Sequence, residues 1–264
     1  MMVLERRHHV LLIALVVLLL VFLIFPIFII VPVSFGDSEF LRFPPPGWST
    51  RWYAEFFGSS QWMGALRSSI EIAFATVALA VPIGTAASYG ILNCGWRGAR
   101  YVQVLLMTPM IVPIIIVGIG VFVVFNRLGL VGNMPALVLA HVLLTVPYVM
   151  LTVGAGLRSF DMSQELVARS LGVNRPKAFF LVTLPQIKTS VFVAAIFTFL
   201  ASLDEVVVAL FVARGSLTTL PREMFLSIRE QIEPTIAAIS SVLVSITVLL
   251  AAIAYAVQAT RKER

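Results

Sequence analysis

A chain of 264 residues that is 59% hydrophobic and 12% charged, with a mean hydropathy of +1.00, is excluded from the soluble globular class, whose surface needs mixed charges throughout. Its net charge of +6 invites nucleic acid as a partner, but the basic residues flank apolar runs and form neither a groove nor an aromatic-interleaved patch, so membrane topology accounts for them and no nucleic acid is expected. A single cysteine, Cys94, excludes an internal disulfide framework and a Cys-rich metal site.

A helix needs about 20 apolar residues to cross the hydrocarbon core of a bilayer. Six segments meet that length: 10–33, 69–92, 101–125, 134–157, 191–212 and 236–257. The expected fold class is therefore an all-α polytopic membrane protein with six transmembrane helices, one transmembrane domain over 1–264. The first segment follows "LERRHH", is longer than a signal-peptide core of about 7–15 residues and has no small-residue cleavage site, so it reads as a retained anchor. The connection after it, about 34–67, is rich in Trp, Tyr, Phe and Pro and is expected to lie along the outer membrane surface, where such aromatics settle. Pro26, Pro82, Pro109, Pro113 and Pro147 fall inside the apolar segments. Each removes a backbone donor, which predicts kinked or broken helices.

Six crossings return both termini to one side. Placing the N-terminus, the 93–100 turn, the 158–188 loop and the C-terminal "RKER" together gives that face 12 of the 19 basic residues and 4 of the 13 acids. By the positive-inside rule this face is the cytoplasm.

The longest polar connection contains "ELVARSLGVNRPKAFFLVTLPQI". Asp161 is placed to cap a short helix with Gln164 at its third position reaching back, and Gly172 stands where a helix stops. Within it, Glu165 and Arg169 are spaced as an i, i+4 ion pair. A second short helix is expected to open at Asn174 or Arg175, with Pro176 in its first turn, and to close near Pro185. Phe179, Phe180 and Val182 are then available to pack against the ends of spans. The product is a helical hairpin with small residues at an exposed tip.

This pattern resembles the cytoplasmic loop of permease subunits of binding-protein-dependent ABC importers, whose motif runs Glu-Ala-Ala, three residues, Gly, and later Leu-Pro. Ala168 matches the second alanine, Gly172 the glycine, and Leu184 with Pro185 the closing pair. Leu166 and Val167 stand at the motif glutamate and first alanine, with Glu165 one position early. "SSIEIAFATVALAVPIGTAASYG" looks like the second span of these permeases, and "SLDEVVVALFVA", "TLPREMF" and "EPTIAAISS" resemble the spermidine/putrescine subclass. The resemblance implies a type I importer permease of the bacterial inner membrane, with a coupling loop at about 158–189 that carries Glu165, Ala168, Arg169, Gly172, Leu184 and Pro185. It further implies a second permease subunit, two copies of an ATP-binding subunit and a periplasmic or extracellular substrate-binding protein. ATP and Mg would be bound by the ATPase partners, with no cofactor in this chain. The cargo implied is a small organic cation such as spermidine or putrescine, another small organic solute being the alternative.

The fifth apolar segment holds Asp204 and Glu205. A charge at the centre of a span costs about 2.5–3.5 kcal/mol. Two readings meet that cost: an anionic lining of the substrate path, with Asp204 the preferred contact, or a structural role, through an ion pair with Arg214, Arg127 or Arg67 or a span that ends earlier. His141 has no second ligand at metal spacing, so no metal site is expected. Glu71 is one turn from Arg67, a structural pair. No Gly-rich phosphate loop occurs, so the chain is not itself the ATPase. A stand-alone secondary transporter or channel would have no use for the hairpin, and the two halves show no convincing repeat. An intramembrane hydrolase lacks a base beside the serines of the sixth segment.

Overall fold

The computed structural model describes residues 2–230 and 233–262, with side chains over 11–230 and 233–259. The charges of "LERRHH" and "RKER" lie outside the described side chains. Regular structure among the described residues is helical: α1 (Met2–Ser34), α2 (Arg51–Gly58), α3 (Ser60–Asn93), α4 (Ala99–Ile111), α5 (Ile114–Arg127), α6 (Met134–Ser159), α7 (Ser163–Ser170), α8 (Arg175–Ala178), α9 (Leu184–Leu203), α10 (Val207–Val212), α11 (Leu220–Glu230) and α12 (Thr235–Lys262). An isolated bridge joins Gly36 to Trp48. Five helices are long and apolar enough to cross a membrane, and α4 with α5 makes a sixth candidate if that bent pair counts as one span.

Two spans depart from single continuous helices. The third is broken between α4 and α5, which meet at a bend of 105°. Pro113 causes it: its ring drives Val112 into extended backbone (φ −75°, ψ 135°) and it has no N–H to continue the ladder. α5 then starts afresh, with the Pro113 carbonyl accepting from Ile116 N–H at 2.8 Å. The other four prolines lie inside α1, α3, α4 and α6, so the expected breaks reduce to one proline.

The fifth span begins earlier and ends earlier than 191–212. One 29-residue helix runs from Arg175 to Leu203, and Pro185 does not close it. A π-helical turn, Phe179–Thr183, precedes the proline, with Leu184 N–H donating to Phe179 O. That turn restarts the α-ladder, so Pro185 falls in the first turn of α9, where its missing N–H is harmless. The helix stops at Leu203; Asp204–Val206 is a break, and α10 follows.

The chain divides into two compact units, Met1–Ser60 with Leu226–Val248 and Gln61–Phe225 with Leu249–Arg264. In the first, the apolar side chains of α1 are exposed along the spanning window. The connection after it folds on local contacts: Ser34 Oγ lies 2.7 Å from Tyr53 OH, and Arg51 pairs with Glu39 at 3.3 Å. One face of α2 buries Trp52 and Phe56, an i, i+4 pair, while Phe40, Phe43 and Trp48 are exposed.

In the second unit α6 is the central helix, with 67% of its spanning window buried. Apolar residues on all sides suit a helix enclosed by others. Leu137, Val149 and Val153 of α6 share a core with Ile72 and Ala80 of α3, Ile187 and Ala194 of α9, and Val208 and Val212 of α10. Gly84 lets α3 approach closely, since a Cβ there would stand 2.6 Å from Val149 Cβ. Small residues at helix crossings are the means by which helices in lipid gain packing contact.

Candidate functional site

The 158–189 loop folds as the short helix α7, a turn, and α8 running into α9. Asp161 is not the cap expected: Met162 holds the N-cap position of α7, with no side-chain cap bond, and Asp161 closes the turn before it. Its carboxylate accepts from the backbone N–H of Ser163 at 2.9 Å and from the Ser163 hydroxyl at 2.7 Å. These two donors hold the carboxyl below its ordinary range. At the other end Gly172 has φ +92°. Its N–H donates to Arg169 O (3.0 Å) and Val173 N–H to Ala168 O (3.2 Å), the paired bonds of a Schellman stop. Asn174 opens α8, its side chain accepting from Lys177 N–H at 3.0 Å.

Glu165 behaves unlike the expected exposed partner of Arg169. It is 1% exposed; Tyr89 OH donates to Oε1 at 2.5 Å and the Thr183 hydroxyl donates to Oε2. Arg169 is exposed, Ala168 and Leu184 are half-buried, and Pro185 is exposed. Arg175 reinforces the same joint: it donates to Asn93 O (3.1 Å) and Tyr89 OH (3.3 Å), with its guanidinium 5.4 Å from the Tyr89 ring centroid. Phe179 packs on that ring at 4.7 Å, whereas Phe180 is exposed. The hairpin is thus fastened to the end of α3 by Glu165 and Arg175, while Thr183 ties Glu165 to the π turn. Its outward face is apolar, with Leu166, Val167 and Leu171 at 54%, 60% and 81% exposure. No spacing pattern links Glu165 to Tyr89, 76 positions away, so the sequence reading missed this joint; the one clue was an acid standing one place early.

The two carboxylates of the fifth span are separated by the break. Asp204 is the exposed residue that ends α9. It follows Lys188, the last charge before it, by 16 residues, or about 24 Å of helix, inside a hydrocarbon thickness of about 30 Å. Glu205 is buried, and its oxygens accept the N–H groups of Val208 (2.7 Å) and Ala209 (3.0 Å), so it caps α10. Neither finds the arginine that a structural pair would use among the contacts described: Arg67 pairs with Glu71 at 2.7 Å, as the spacing predicts, and Arg214 lies over the Phe122 ring at 5.2 Å. His141 of α6 reaches Glu205 instead. Its Nε2 is 3.5 Å from Oε2, and its Nδ1 lies 2.8 Å from Ser202 Oγ, which in turn contacts Thr76. A cavity of about 240 Å³ opens on this cluster, lined by His141, Ser202 and Glu205 and by Val112 at the α4–α5 break. Asp204 is not among the lining residues, so the cavity belongs to the acid that sequence reasoning ranked second. Among the described residues no group of three His, Cys, Asp or Glu side chains has metal-binding geometry.

Residues 80–262 match the family described as "Binding-protein-dependent transport system inner membrane component". The chain belongs to this family. It is 31% identical to the putrescine transport system permease protein PotI of Escherichia coli (strain K12), over 92% of this chain and 89% of that one. It is 26% identical to the spermidine/putrescine transport system permease protein PotC of the same strain, over 87% and 86%. Its fold matches that of a bacterial ABC transporter involved in the import of the acidic polysaccharide alginate, at a TM-score of 0.69 and 13% identity, over 97% of this chain and 96% of that one. The chain is a multi-pass permease of the inner-membrane type; ATP hydrolysis in such importers belongs to separate subunits.

Proposed function

We propose that this permease translocates a small organic cation of the polyamine class, such as putrescine or spermidine, delivered by an external binding protein. It pairs with a second permease subunit and docks two ATP-binding subunits, which hold ATP and Mg, through α7. Both termini and the 158–189 loop face the cytoplasm, as the basic residues favour. The observation that carries the cargo reading is a pair of adjacent acids at a helix break within membrane depth, for which the ion pairs described show no arginine partner. Discontinuous helices and intramembrane acids are the usual marks of a cation path. Asp204, exposed on the chain's surface, fits a path shared with the second permease, and Glu205 lines the cavity behind it. The names of the PotI and PotC relatives favour the same cargo. The apolar outward face of α7, ended at Gly172, is what a groove on an ATPase partner would cover, and a stand-alone transporter has no use for it.

The test is reconstitution of the chain with its partner permease, ATPase and binding protein in liposomes, followed by solute-stimulated ATP hydrolysis and uptake. Putrescine or spermidine should stimulate both. Stimulation by a sugar or an anionic solute, with none by amines, would assign the permease to another cargo.

A further inference from the structure

The cavity beside Glu205 has a chemistry that the cap of α10 does not use up. His141 is 1% exposed, and its Nε2 makes no hydrogen bond. Of the eight buried side-chain atoms without a hydrogen-bond partner among the described residues, this is the one that borders the cavity and faces a carboxylate. The hydrogen-bond order around it explains the bare nitrogen. Ser202 Oγ donates to Thr76 Oγ1, so its lone pair is left for His141 Nδ1–H, 2.8 Å away. Neutral imidazole protonated at Nδ1 is bare at Nε2, an acceptor. Glu205 Oε2, 3.5 Å from that nitrogen, takes one N–H from Ala209 and keeps lone-pair capacity, because a carboxylate oxygen accepts more than one bond. Two acceptors therefore face each other across the cavity edge with no proton between them. Thr145 adds a third: its hydroxyl donates to His141 O at 2.8 Å, which leaves its oxygen free to accept.

The geometry points to a binding site for a primary alkylammonium group, its nitrogen seated between His141 Nε2 and Glu205 Oε2 and its alkyl chain lying on the Met110, Val112 and Leu144 wall. An ammonium carries three donors and no acceptor, which matches the three acceptors His141 Nε2, Glu205 Oε2 and Thr145 Oγ1, and its charge answers that of Glu205. Tyr148 borders the same wall, and an aromatic ring attracts cations. An anion would meet the carboxylate, and a sugar would bring acceptors as well as donors to a wall whose Ser202 and Thr145 hydroxyls already donate elsewhere and whose remaining side-chain donor is the Tyr148 hydroxyl. The volume, about 240 Å³, falls just under the range of about 300–1,000 Å³ for drug-sized ligands, so it suits a short amine or one end of a longer one. Both breaks meet here: Val112 and Ile114 border the bend of the third span and Glu205 follows the end of α9. In physiological terms the site rests on the reading of the chain as an organic-cation importer, but its chemistry is testable without transport.

The experiment uses the full chain, purified with the subunits it retains, with Cys94→Ser and a reporter, Leu144→Cys, on the cavity wall. The rate of labelling by an uncharged maleimide is followed with propylamine, putrescine, propionate or glycerol present. Both amines should slow labelling at saturation, and propionate and glycerol should not. Glu205→Gln should raise the half-protecting amine concentration by about tenfold or more, the loss expected for a charge-assisted hydrogen bond. Because Glu205 also caps α10, a second variant, Val112→Phe, fills the cavity from its apolar side without touching a hydrogen bond and should abolish protection. Equal protection by propionate, or amine protection that survives both variants, would overturn the site. Uptake of amines by the wild-type complex without protection overturns the cavity and leaves the importer reading standing. Protection without uptake does the reverse, and absence of both removes both.

Discussion

The joint between Glu165, Tyr89 and Thr183 decides whether the hairpin is held rigidly to the membrane helices, and Glu165→Ala is the perturbation that isolates it. The carboxylate is 1% exposed and receives two hydroxyl donors. Hydrogen bonds to charged groups contribute about 1.5–3 kcal/mol each, so the pair is worth up to about 6 kcal/mol. Removing the side chain also relieves the desolvation of a buried anion, which offsets part of that sum. A net loss of about 2–4 kcal/mol in local stability remains, equivalent to about a 30- to 1,000-fold rise in the open population at 1.4 kcal/mol per decade. Glu165→Gln keeps the shape; its carbonyl can accept from Tyr89 and its amide can donate to the Thr183 oxygen, so the loss should fall to about 1 kcal/mol. Hydrogen exchange reads this directly. The Leu171 and Val173 amides, which close α7 and its stop, should lose protection in the Ala variant and largely keep it in the Gln variant, while α6 amides stay unchanged in both. Recovery of the ATPase partner on purification should follow the same order. If α7 exchanges at the wild-type rate in Glu165→Ala, the carboxylate does not fasten the hairpin and the argument from its burial fails.

Three other outcomes are expected. Gly172→Val places a β-branched side chain at φ +92°, at a cost of about 1–2 kcal/mol; membrane insertion should be normal and ATPase co-purification reduced, and a variant that couples normally would show that the stop is not needed for docking. In a Cys94→Ser background, cysteine at Ser38 should react with an impermeant reagent in intact cells and cysteine at Ser163 should react only after permeabilisation, the opposite pattern reversing the topology. Asp204→Asn should assemble normally and lose most amine uptake, whereas Glu205→Gln, which weakens the cap on Val208 and Ala209, should also lower the thermal stability of the complex; uptake retained in both would remove the anionic path.

What the sequence made legible was whatever depends on local chemistry. Apolar length predicted the spans, the Gly172 stop follows from backbone sterics, the Arg67–Glu71 pair follows from helical spacing, and the matches around Gly172 and Leu184–Pro185 led to the family. What escaped depends on contacts between distant positions. Glu165 and Arg169 are correctly spaced for an ion pair, yet two buried hydroxyls outcompete a solvated guanidinium whose pairing in water is worth about 0.5 kcal/mol at most. Pro185 looks like a helix end until the π turn before it shifts the ladder by one residue, an adjustment no propensity records. The adjacent acids read alike in sequence because both lie in one apolar run. They part only once the helix ends at Leu203, which turns one carboxylate out to the surface and the other back onto the N–H groups of α10 and the imidazole of α6. The same break sorts the two adjacent charges, giving the cap and the cavity to Glu205 and the exposed position to Asp204.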